Sequence, residues 1–366
     1  MELSIAIVAW NEEKNLPAVL QDIVAQGYPH EKIELLLIDS MSEDGTKTVM
    51  ESFAERHAAE FRSIRVLENP GKILSRGWNR AIDAFTTEAL VRVDAHSSIP
   101  SDFIEKNVAA LEAGEYVTGG ARPNIVEEES PWQNVLLAAE SSMFGSSAAP
   151  FRRGGEKTYV KSLFHGAYRR EVFEKAGRFR EDLGRTEDNE FNYRVRQNGF
   201  RLCMVPGIIS YQMIRPDLAK MCRQKYGNGY WVGLTAGVCP GCLSLYHFVP
   251  FAFVLGILFT TVVAMFGHPL LAVLMWGLYW LLAIGMAIQA AVCAPAGNAS
   301  NASGRHGGGR NIGYVLLPFL FFLLHVSYGA GTFVGLAKMP FWRRAHQGKE
   351  SSGKESGGSG NESGGK

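Results

Sequence analysis

Three apolar runs, at residues 243–266, 269–294 and 312–337, constrain the fold of this chain more than any other feature of its sequence. Charged side chains almost vanish across this part of the chain. Each run exceeds the roughly 20 residues that a helix needs to cross a bilayer, and soluble core helices rarely combine such length with such apolarity. We therefore predict that residues 236–340 form a membrane region with about three hydrophobic helices.

The charges that flank the apolar runs leave the topology of this region open. If the N-terminal domain is cytoplasmic, the first two runs form a hairpin and the loop with Arg305 and Arg310 returns to the cytoplasm, as the excess of basic residues in cytoplasmic loops requires. The third run would then place Lys338 and Arg343 outside, against that rule. Pro318 and three glycines make the third run a candidate for a re-entrant or broken helix.

Residues 1–235 have the composition of a soluble domain with a repeating strand–helix pattern. The segment LSIAIVAW is apolar like a buried strand, the amphipathic segment EKNLPAVLQDIVAQG follows it, and three more such pairs occur before residue 115. Nearly continuous apolar strands, each followed by a helix, predict an α/β fold whose mostly parallel sheet carries helices on both faces. Such sheets bind their ligands at the carboxyl ends of the strands.

Composition limits the remaining possibilities. Residues 341–366 are rich in Gly, Ser, Lys and Glu and cannot bury enough apolar surface to fold, so we predict a disordered polar tail. A net charge of +1 provides no global field that would attract nucleic acid, so we expect no nucleic-acid partner. The five cysteines are an odd number and fit a reducing cytoplasm. Cys239 and Cys242 form a C-x-x-C, but no second such pair occurs and an apolar run follows, which gives little support for a redox or zinc site.

Polar side chains occur where three of the predicted strands end. Trp10 and Glu12 follow the first strand, Asp39 ends the second, and Asp94 and His96 come at the end of the fourth. We expect them to meet at one edge of the sheet. The turn after Asp39 explains the polar residues that follow it but not Asp39 itself, whose carboxylate would suit a ribose hydroxyl or a base N–H.

Two explanations remain open for the sequence Asp94-Ala95-His96. A turn at the strand end is the commoner reason for an isolated D-x-H. The alternative is a metal site in which one carboxylate, one imidazole, two oxygens of a diphosphate and water surround Mg²⁺ or Mn²⁺. The imidazole favours Mn²⁺.

Thr186, Glu187 and Asp188 begin a predicted helix, and they also admit two explanations. A capping threonine with acids in the first turn is a common helix start. A general base would need the same kind of exposed carboxylate, and the sequence does not decide between the two.

Two basic stretches carry a similar ambiguity. Lys72 and Arg76 are placed to approach a diphosphate, yet basic residues on a helix usually form a solvated face. Residues 223–231 combine cations, aromatics and glycines, which suits either an interfacial aromatic belt or a site for a phosphate or an acceptor.

Four motifs, in this order and spacing, resemble those of glycosyltransferase family 2 enzymes with the GT-A fold. They are IAIVAWNEEKNL, LLIDSMSEDGT, RVDAHSSIP and GAYRREVFEKAGRFREDLGRTEDNEF. The resemblance covers roughly residues 3–230 at the level of motifs and the apolar part in character. It implies a GT-A, Rossmann-like sheet for residues 1–235, followed by C-terminal transmembrane helices.

The resemblance also implies which residues bind the nucleotide sugar. Trp10 and Glu12 match positions that line the base pocket, and Asp39 matches the position that recognises the base and ribose. To these we add Ala95, within the predicted metal motif, and Arg76, near the expected diphosphate.

The metal and catalytic positions follow in the same way. Asp94 and His96 match the family's D-x-D metal motif, with a histidine in place of the second carboxylate, so the choice between Mn²⁺ and Mg²⁺ stays open. Asp188 matches the catalytic base, with Glu187 beside it. The Q-x-x-R-W motif of processive synthases is missing, which favours the addition of one sugar over the synthesis of a polymer.

The function implied is that of an inverting, metal-dependent glycosyltransferase anchored in the membrane. We expect it to move a hexose, glucose from UDP-glucose, to a polyprenyl-diphosphate-linked saccharide in exopolysaccharide biosynthesis. The expected location is the cell inner membrane, as a multi-pass protein with a cytoplasmic catalytic domain. Two alternatives are transfer to a polyprenyl phosphate and a non-catalytic, membrane-anchored binding protein.

Overall fold

The computed structural model describes residues 1–126, 130–145, 156–293 and 312–355, with side chains up to residue 346. Its strands are β1 (Leu3–Ala9), β2 (Ile33–Asp39), β3 (Ser63–Glu68), β4 (Ala89–Asp94), β5 (Ser97–Ser98), β6 (Val117–Ala121), β7 (Asn124–Ile125), β8 (Thr158–Val160), β9 (Ala167–Arg169), β10 (Leu202–Ile209) and β11 (Tyr211–Met213). Its helices are α1 (Leu16–Val24), α2 (Thr46–His57), α3 (Leu74–Ala84), α4 (Phe103–Glu112), α5 (Pro131–Ser141), α6 (Arg170–Ala176), α7 (Glu187–Gln197), α8 (Leu218–Thr235), α9 (Val249–Met265), α10 (Leu270–Cys293) and α11 (Leu317–Glu355).

An eight-stranded sheet in the order β3-β2-β1-β4-β9-β6-β10-β8 forms the centre of the N-terminal domain. The pairs among β1 to β4 are parallel, and β9 inserts antiparallel between β4 and β6. The four predicted strand–helix pairs are confirmed. A second sheet, β5-β11-β7, was not predicted from the sequence, because strands of two or three residues are too short to show a periodic pattern.

The side chains of β1 alternate between two hydrophobic cores, one on each face of the sheet. Ile5 and Ile7 lie in the core formed with α1, α2 and α4. Ala6 and Val8 lie in the core on the other face, with Trp78 of α3 and residues of α6 and α7. This double burial explains why the strand is apolar at every position except Ser4, whose buried hydroxyl donates a hydrogen bond to Glu34. It also confirms the prediction of helices on both faces.

The C-terminal part contains three helices that are long and apolar enough to cross a membrane, as predicted. The stretches are Leu245–Met265, Leu270–Val292 and Ile312–His346, with mean hydropathies of 2.3, 2.1 and 1.7. They differ in how far they pack on the rest of the protein, since 6% and 17% of the first two are buried but 39% of the third. The predicted loop with Arg305 and Arg310 lies outside the described residues.

The third apolar run differs from the expectation of a re-entrant or broken helix. α11 is continuous from Leu317 to Glu355, although Pro340 lies within it. Pro318 does not break the helix because it stands in the first turn, where the missing N–H has no helical partner to lose. α11 also continues past residue 341, where the sequence predicted the start of a disordered tail. Its extension is held in part by Trp342, whose ring contacts that of Trp231 on α8.

Glycines allow α8 and α11 to pack with their backbones in close contact. A methyl group added at Gly229 of α8 would lie 2.0 Å from the carbonyl oxygen of Tyr328, and one at Gly335 of α11 would lie 2.1 Å from that of Tyr230. No side chain fits at such separations, so small residues at this contact are a steric requirement. The glycines that suggested a broken helix from sequence are therefore packing positions.

This contact predicts opposite effects for the same substitution at two helical glycines. Gly335→Ala should destabilise the protein by about 1–3 kcal/mol, because the methyl group would force two backbones apart. Gly285→Ala on α10 should be neutral or stabilising by up to about 1 kcal/mol, since nothing lies within 4 Å of its added methyl and alanine favours the helix. Thermal unfolding in detergent measures both. Equal melting temperatures for the two variants would contradict the close contact.

Candidate functional site

The predicted site residues lie at one edge of the large sheet. In the β1 registers, Val8 pairs with Asp94 of β4 and Ala9 pairs with Asp39 of β2. The two carboxylates therefore lie at the carboxyl ends of the two strands that flank β1. This is the arrangement that the sequence predicted for this edge.

The residues predicted to bind a nucleotide sugar differ in accessibility. Trp10 is 55% exposed, whereas Asp39 is buried and accepts a hydrogen bond from the backbone N–H of Ser42 at 3.2 Å. Arg76 forms an ion pair of 3.0 Å with Glu181. Ala95 is 2% exposed and its methyl group packs in the hydrophobic core, so only its main chain can face a ligand at this edge.

Glu12 and His96 connect the ends of β1 and β4. The distance between Glu12 Oε1 and His96 Nδ1 is 3.0 Å, and Asn15 donates a hydrogen bond of 2.7 Å to Glu12 Oε2. Burial would raise the pKa of Glu12, but the hydrogen bonds from His96 and Asn15 outweigh it and keep that pKa below its ordinary value. An ionised Glu12 thus orients the His96 ring.

Asp94 is surrounded by basic side chains from other parts of the chain. His165 Nε2 lies 3.1 Å and an Arg122 guanidinium nitrogen 3.9 Å from Asp94 Oδ2. Burial would raise the pKa of Asp94, yet His165 and Arg122 hold it well below its usual range. Burial lowers the pKa of His165 itself, and its Nε2 also accepts a hydrogen bond of 3.3 Å from the backbone N–H of Asp94. Asp94 is therefore ionised at any physiological pH.

Asp94 and His96 fit a divalent metal only as a partial site. No group of three His, Cys, Asp or Glu side chains able to hold an ion occurs among the residues that the structure describes. Asp94 Oδ2 faces His165, and His96 Nδ1 faces Glu12, so the other carboxylate oxygen and Nε2 are the atoms for a metal. Oxygen and imidazole donors suit Mn²⁺ or Mg²⁺, with the remaining positions left to a ligand such as a diphosphate.

Glu187 and Asp188 form a pair of carboxyl groups at the start of α7. Burial and the neighbouring Asp188 raise the pKa of Glu187 to about 7. Burial also raises the pKa of Asp188, although the charges of Arg92 and Arg122 oppose this. Asp94 acts electrostatically on both acids, so α7 begins close to the β4 end. Buried carboxyl groups with raised pKa values are suited to proton transfer near neutral pH.

Thr186 stands at the N-cap of α7 without capping it, so only the acids of the first turn remain from the structural explanation of this motif. Its side chain makes no capping hydrogen bond, and its backbone is left-handed, with φ of 68°. Its hydroxyl instead lies 2.6 Å from that of Thr235 at the end of α8. The start of α7 is therefore held by α8.

Five residues other than glycine have positive φ in the described chain, and all lie around the same edge. Asn11, Met41 and Lys72 follow the ends of β1, β2 and β3, His165 precedes the antiparallel β9, and Thr186 precedes α7. Such conformations cost free energy and tend to occur at functional sites. Their location supports this edge as the site.

Three basic residues of the site were not found from the sequence. Arg92 lies inside β4, with its guanidinium 4.3 Å from the Trp78 ring centroid, and was hidden in an apolar strand. His165 pairs with Asp94 across 71 positions of sequence, which no local pattern reveals. Arg122 directly follows β6, so the rule on strand ends could have found it.

The site also borders the helix that leads to the hydrophobic region. Arg185 donates a hydrogen bond of 2.7 Å to Asn228 of α8, and a methyl added at Gly184 would meet the ring of Trp231. Residues 223–231, whose role was left open, are part of α8. Lys225 is not available to a ligand phosphate, because it is buried in an ion pair of 2.6 Å with Glu140.

Comparisons with known proteins agree with this architecture. Residues 4–177 match the family described as Glycosyl transferase family 2. Succinoglycan biosynthesis protein ExoA of Rhizobium meliloti is 26% identical over 231 residues, which are 62% of this chain and 67% of that protein. The dolichyl N-acetyl-alpha-D-glucosaminyl phosphate 3-beta-D-2,3-diacetamido-2,3-dideoxy-beta-D-glucuronosyltransferase of Methanococcus voltae is 24% identical over 92% of this chain and 97% of its own length.

A solved structure shares the fold. The mannosyltransferase PcManGT of Pyrobaculum calidifontis, determined with GDP-Man and Mn²⁺, matches 92% of this chain and 86% of its own with a TM-score of 0.52 and 18% identity. At this level of identity the likeness establishes the fold alone. It confirms the predicted GT-A sheet with helices on both faces.

Proposed function

Because the chain is a glycosyltransferase with a family 2 domain at residues 4–177, we propose that it transfers one hexose from a nucleotide sugar to a lipid-linked saccharide at a membrane surface. The expected donor is UDP-glucose, and the acceptor a polyprenyl-diphosphate-linked saccharide of exopolysaccharide biosynthesis. The observation that carries this proposal is the contact between the start of α7, with its two acids, and α8, which leads to the first hydrophobic helix.

The donor would bind along the ends of β1, β2 and β4. The exposed Trp10 offers a ring face to the base, and Asp39 offers a carboxylate, held by Ser42, to the base or ribose. Arg215 acts electrostatically on both Glu12 and Arg185, so two guanidinium groups lie near this edge. Neighbouring cations of this kind favour a diphosphate or another phosphate.

Asp94 and His96 would hold a divalent ion together with the donor's diphosphate. Such an ion neutralises the charge that develops on the leaving diphosphate. The solved Pyrobaculum relative was determined with Mn²⁺, which supports divalent-metal use within this fold. Since the protein supplies two ligands, the ion and the donor should bind more tightly together than apart.

Asp188 would act as the general base. Its carboxylate takes the proton from an acceptor hydroxyl while that oxygen bonds to the anomeric carbon, and the bond from this carbon to the diphosphate oxygen breaks with its electron pair on the diphosphate. Attack from the face opposite the leaving group inverts the anomeric configuration. Arg92 and Arg122 lie near enough to stabilise the pair of acids in its ionised form.

The membrane location belongs to the same proposal. The three hydrophobic helices would make this a multi-pass protein of the cell inner membrane with the catalytic domain in the cytoplasm. The contact between α8 and α11 would keep Glu187 and Asp188 next to the lipid, where an acceptor on a polyprenyl chain is presented.

A second candidate function is transfer to a bare polyprenyl phosphate. The pairing of Arg185 with Asn228 of α8 favours it, because it places a cation between the acids and the hydrophobic helices. In that reaction the attacking atom is a phosphate oxygen that carries no proton at neutral pH, so a general base would be dispensable.

One experiment separates these functions. The full chain in detergent, with Mn²⁺, is given radiolabelled UDP-glucose and either a polyprenyl-diphosphate-linked sugar or a polyprenyl phosphate, and the lipid products are separated by thin-layer chromatography. Label on the saccharide lipid alone supports the first function, and label on the bare phosphate supports the second. Label on neither, with any of the common nucleotide sugars, would contradict both.

The pKa of Glu187 predicts the pH dependence of the reaction. A second negative charge beside Asp188 makes it a stronger base, so kcat should rise as Glu187 loses its proton near pH 7. Glu187→Gln stays neutral at every pH, so its kcat should remain near the low-pH value of the wild type and lack the inflection near pH 7. A pH–rate profile of both proteins tests this. An inflection that persists in the variant would assign the ionisation to another group.

A further inference from the structure

Cys239 and Cys242 lie in the connection between α8 and α9, and the structure gives them a closer relation to the site than the sequence suggested. A short 3₁₀ turn at Pro240–Cys242 folds the chain so that the backbone N–H of Cys242 donates a hydrogen bond of 3.2 Å to the carbonyl of Cys239. The same turn places the two cysteines three positions apart on a single turn of chain, one at each end. Both cysteines are free.

The turn packs against α7, the helix that begins with Glu187 and Asp188. A methyl group added at Gly241 would lie 2.8 Å from the hydroxyl oxygen of Tyr193 on α7, so the backbone of the turn touches this side chain. Cys242 is also close enough to Asp188 for the carboxylate to act on its thiol electrostatically. The cysteine pair is therefore beside the helix that carries the proposed base.

A second path of contacts runs from the cysteines to the start of α7. The backbone N–H of Cys239 donates a hydrogen bond of 2.8 Å to the carbonyl of Thr235. The Thr235 hydroxyl lies 2.6 Å from that of Thr186, the left-handed residue directly before Glu187. A change in the turn thus reaches the catalytic acids through two hydrogen bonds.

We propose that Cys239 and Cys242 are a reversible thiol–disulfide switch, oxidised by small disulfides such as oxidised glutathione, and that the disulfide slows glycosyl transfer. A disulfide requires the two sulfur atoms at about 2.05 Å and the Cβ atoms at about 3.5–4.5 Å. Both cysteines are free, so their sulfur atoms must approach each other to form this bond. We expect this movement to pull on the Thr235 carbonyl and on the contact with Tyr193, and so to displace the start of α7.

The chemistry of the pair suits this exchange. The hydrogen bonds from the Cys242 thiol and its backbone N–H lower the pKa of Cys239 to about 7, although burial opposes them. The Cys239 thiolate attacks one sulfur of the oxidant and releases one thiolate, which takes up a proton. Cys242 then loses its proton and attacks Cys239 in the mixed disulfide, releasing the second thiol. The protein loses two electrons and two protons, and the oxidant gains both.

The test uses the full chain in detergent, equilibrated with defined ratios of reduced and oxidised glutathione. Intact-mass analysis after alkylation of free thiols counts the cysteines that have paired. Transfer and uncoupled hydrolysis of the nucleotide sugar are measured in the same samples. Because the mass readout needs no substrate, and hydrolysis needs no acceptor, a wrong acceptor in the proposed function would not be mistaken for failure of the switch.

We expect Cys239 and Cys242 to pair under oxidising ratios, with a several-fold lower rate that a dithiol restores. Cys239→Ser and Cys242→Ser should keep their rate under the same conditions, whereas Cys222→Ser on α8 should respond like the wild type. Alkylation of the wild type before oxidation gives the same protection without a substitution. If no disulfide forms, or if it forms and the rate does not change, the switch does not exist.

Discussion

Asp188→Asn should lower kcat by about 10²–10⁴-fold and leave donor binding unchanged, because the amide cannot accept the proton of the acceptor hydroxyl. The raised pKa of Asp188 makes this carboxylate a better base than an exposed aspartate, so the loss should lie in turnover. Transfer to the lipid-linked saccharide gives kcat, and calorimetric titration with the nucleotide gives donor affinity.

Asp83→Asn is the matched control for this substitution. Asp83 is paired with Arg178 near the end of α3, and that helix leads into the amino end of β4, at the opposite edge of the sheet. Its replacement should leave kcat within about twofold, as expected for surface positions. Full transfer by Asp188→Asn, with donor binding intact, would show that another group takes the proton or that the acceptor carries none.

Asp94→Asn should lower kcat by about 10²–10³-fold, the range for the loss of one preorganised electrostatic group, and should also remove the effect of Mn²⁺ on donor binding. The variant lacks the charge that a metal and the neighbouring Arg122 both require. Calorimetric titrations of UDP with and without Mn²⁺ measure the effect, and thermal unfolding shows whether the uncompensated arginine destabilises the fold.

Asp39→Asn provides the comparison for this prediction. Asp39 lies at the same edge, on the other side of β1, without a place in the metal site. Its replacement should weaken UDP binding to a similar extent with and without Mn²⁺. If Asp94→Asn retains the enhancement by Mn²⁺, the metal is held elsewhere and the two-ligand site is wrong.

The sheet and the edge that carries the site could be predicted from the sequence because local patterns encode them. Strands buried on both faces are apolar at most positions, and a polar residue such as Asp39 or Asp94 marks the carboxyl end. The order of the strands was not predicted, since the chain returns from β3 at one edge to place β4 on the other side of β1. The roles of these residues in binding and catalysis remain predictions until the experiments above are done.

What the sequence did not reveal depends on contacts between distant segments. His165 and Arg122 reach Asp94 only after β9 has inserted beside β4 and β6 has ended nearby. Thr186 has the pattern of a helix cap, but its hydroxyl bonds to Thr235, which the sequence places 49 positions away. Glycines in a helical sequence also admit two interpretations. A glycine can interrupt an isolated helix, or it can permit two helices to pack with their backbones in contact.

The close fit of α8 against α11 has a consequence for the choice of acceptor. A catalytic domain on a flexible tether could work at many heights above the lipid and accept saccharides of many lengths. Here Gly229 and Gly335 hold α8 against a hydrophobic helix, so in the proposed membrane location this steric contact would fix the height of Asp188 above the acyl chains. The enzyme would then select its acceptor by the length of the saccharide. Only a sugar at the matching distance from its lipid phosphate would be extended.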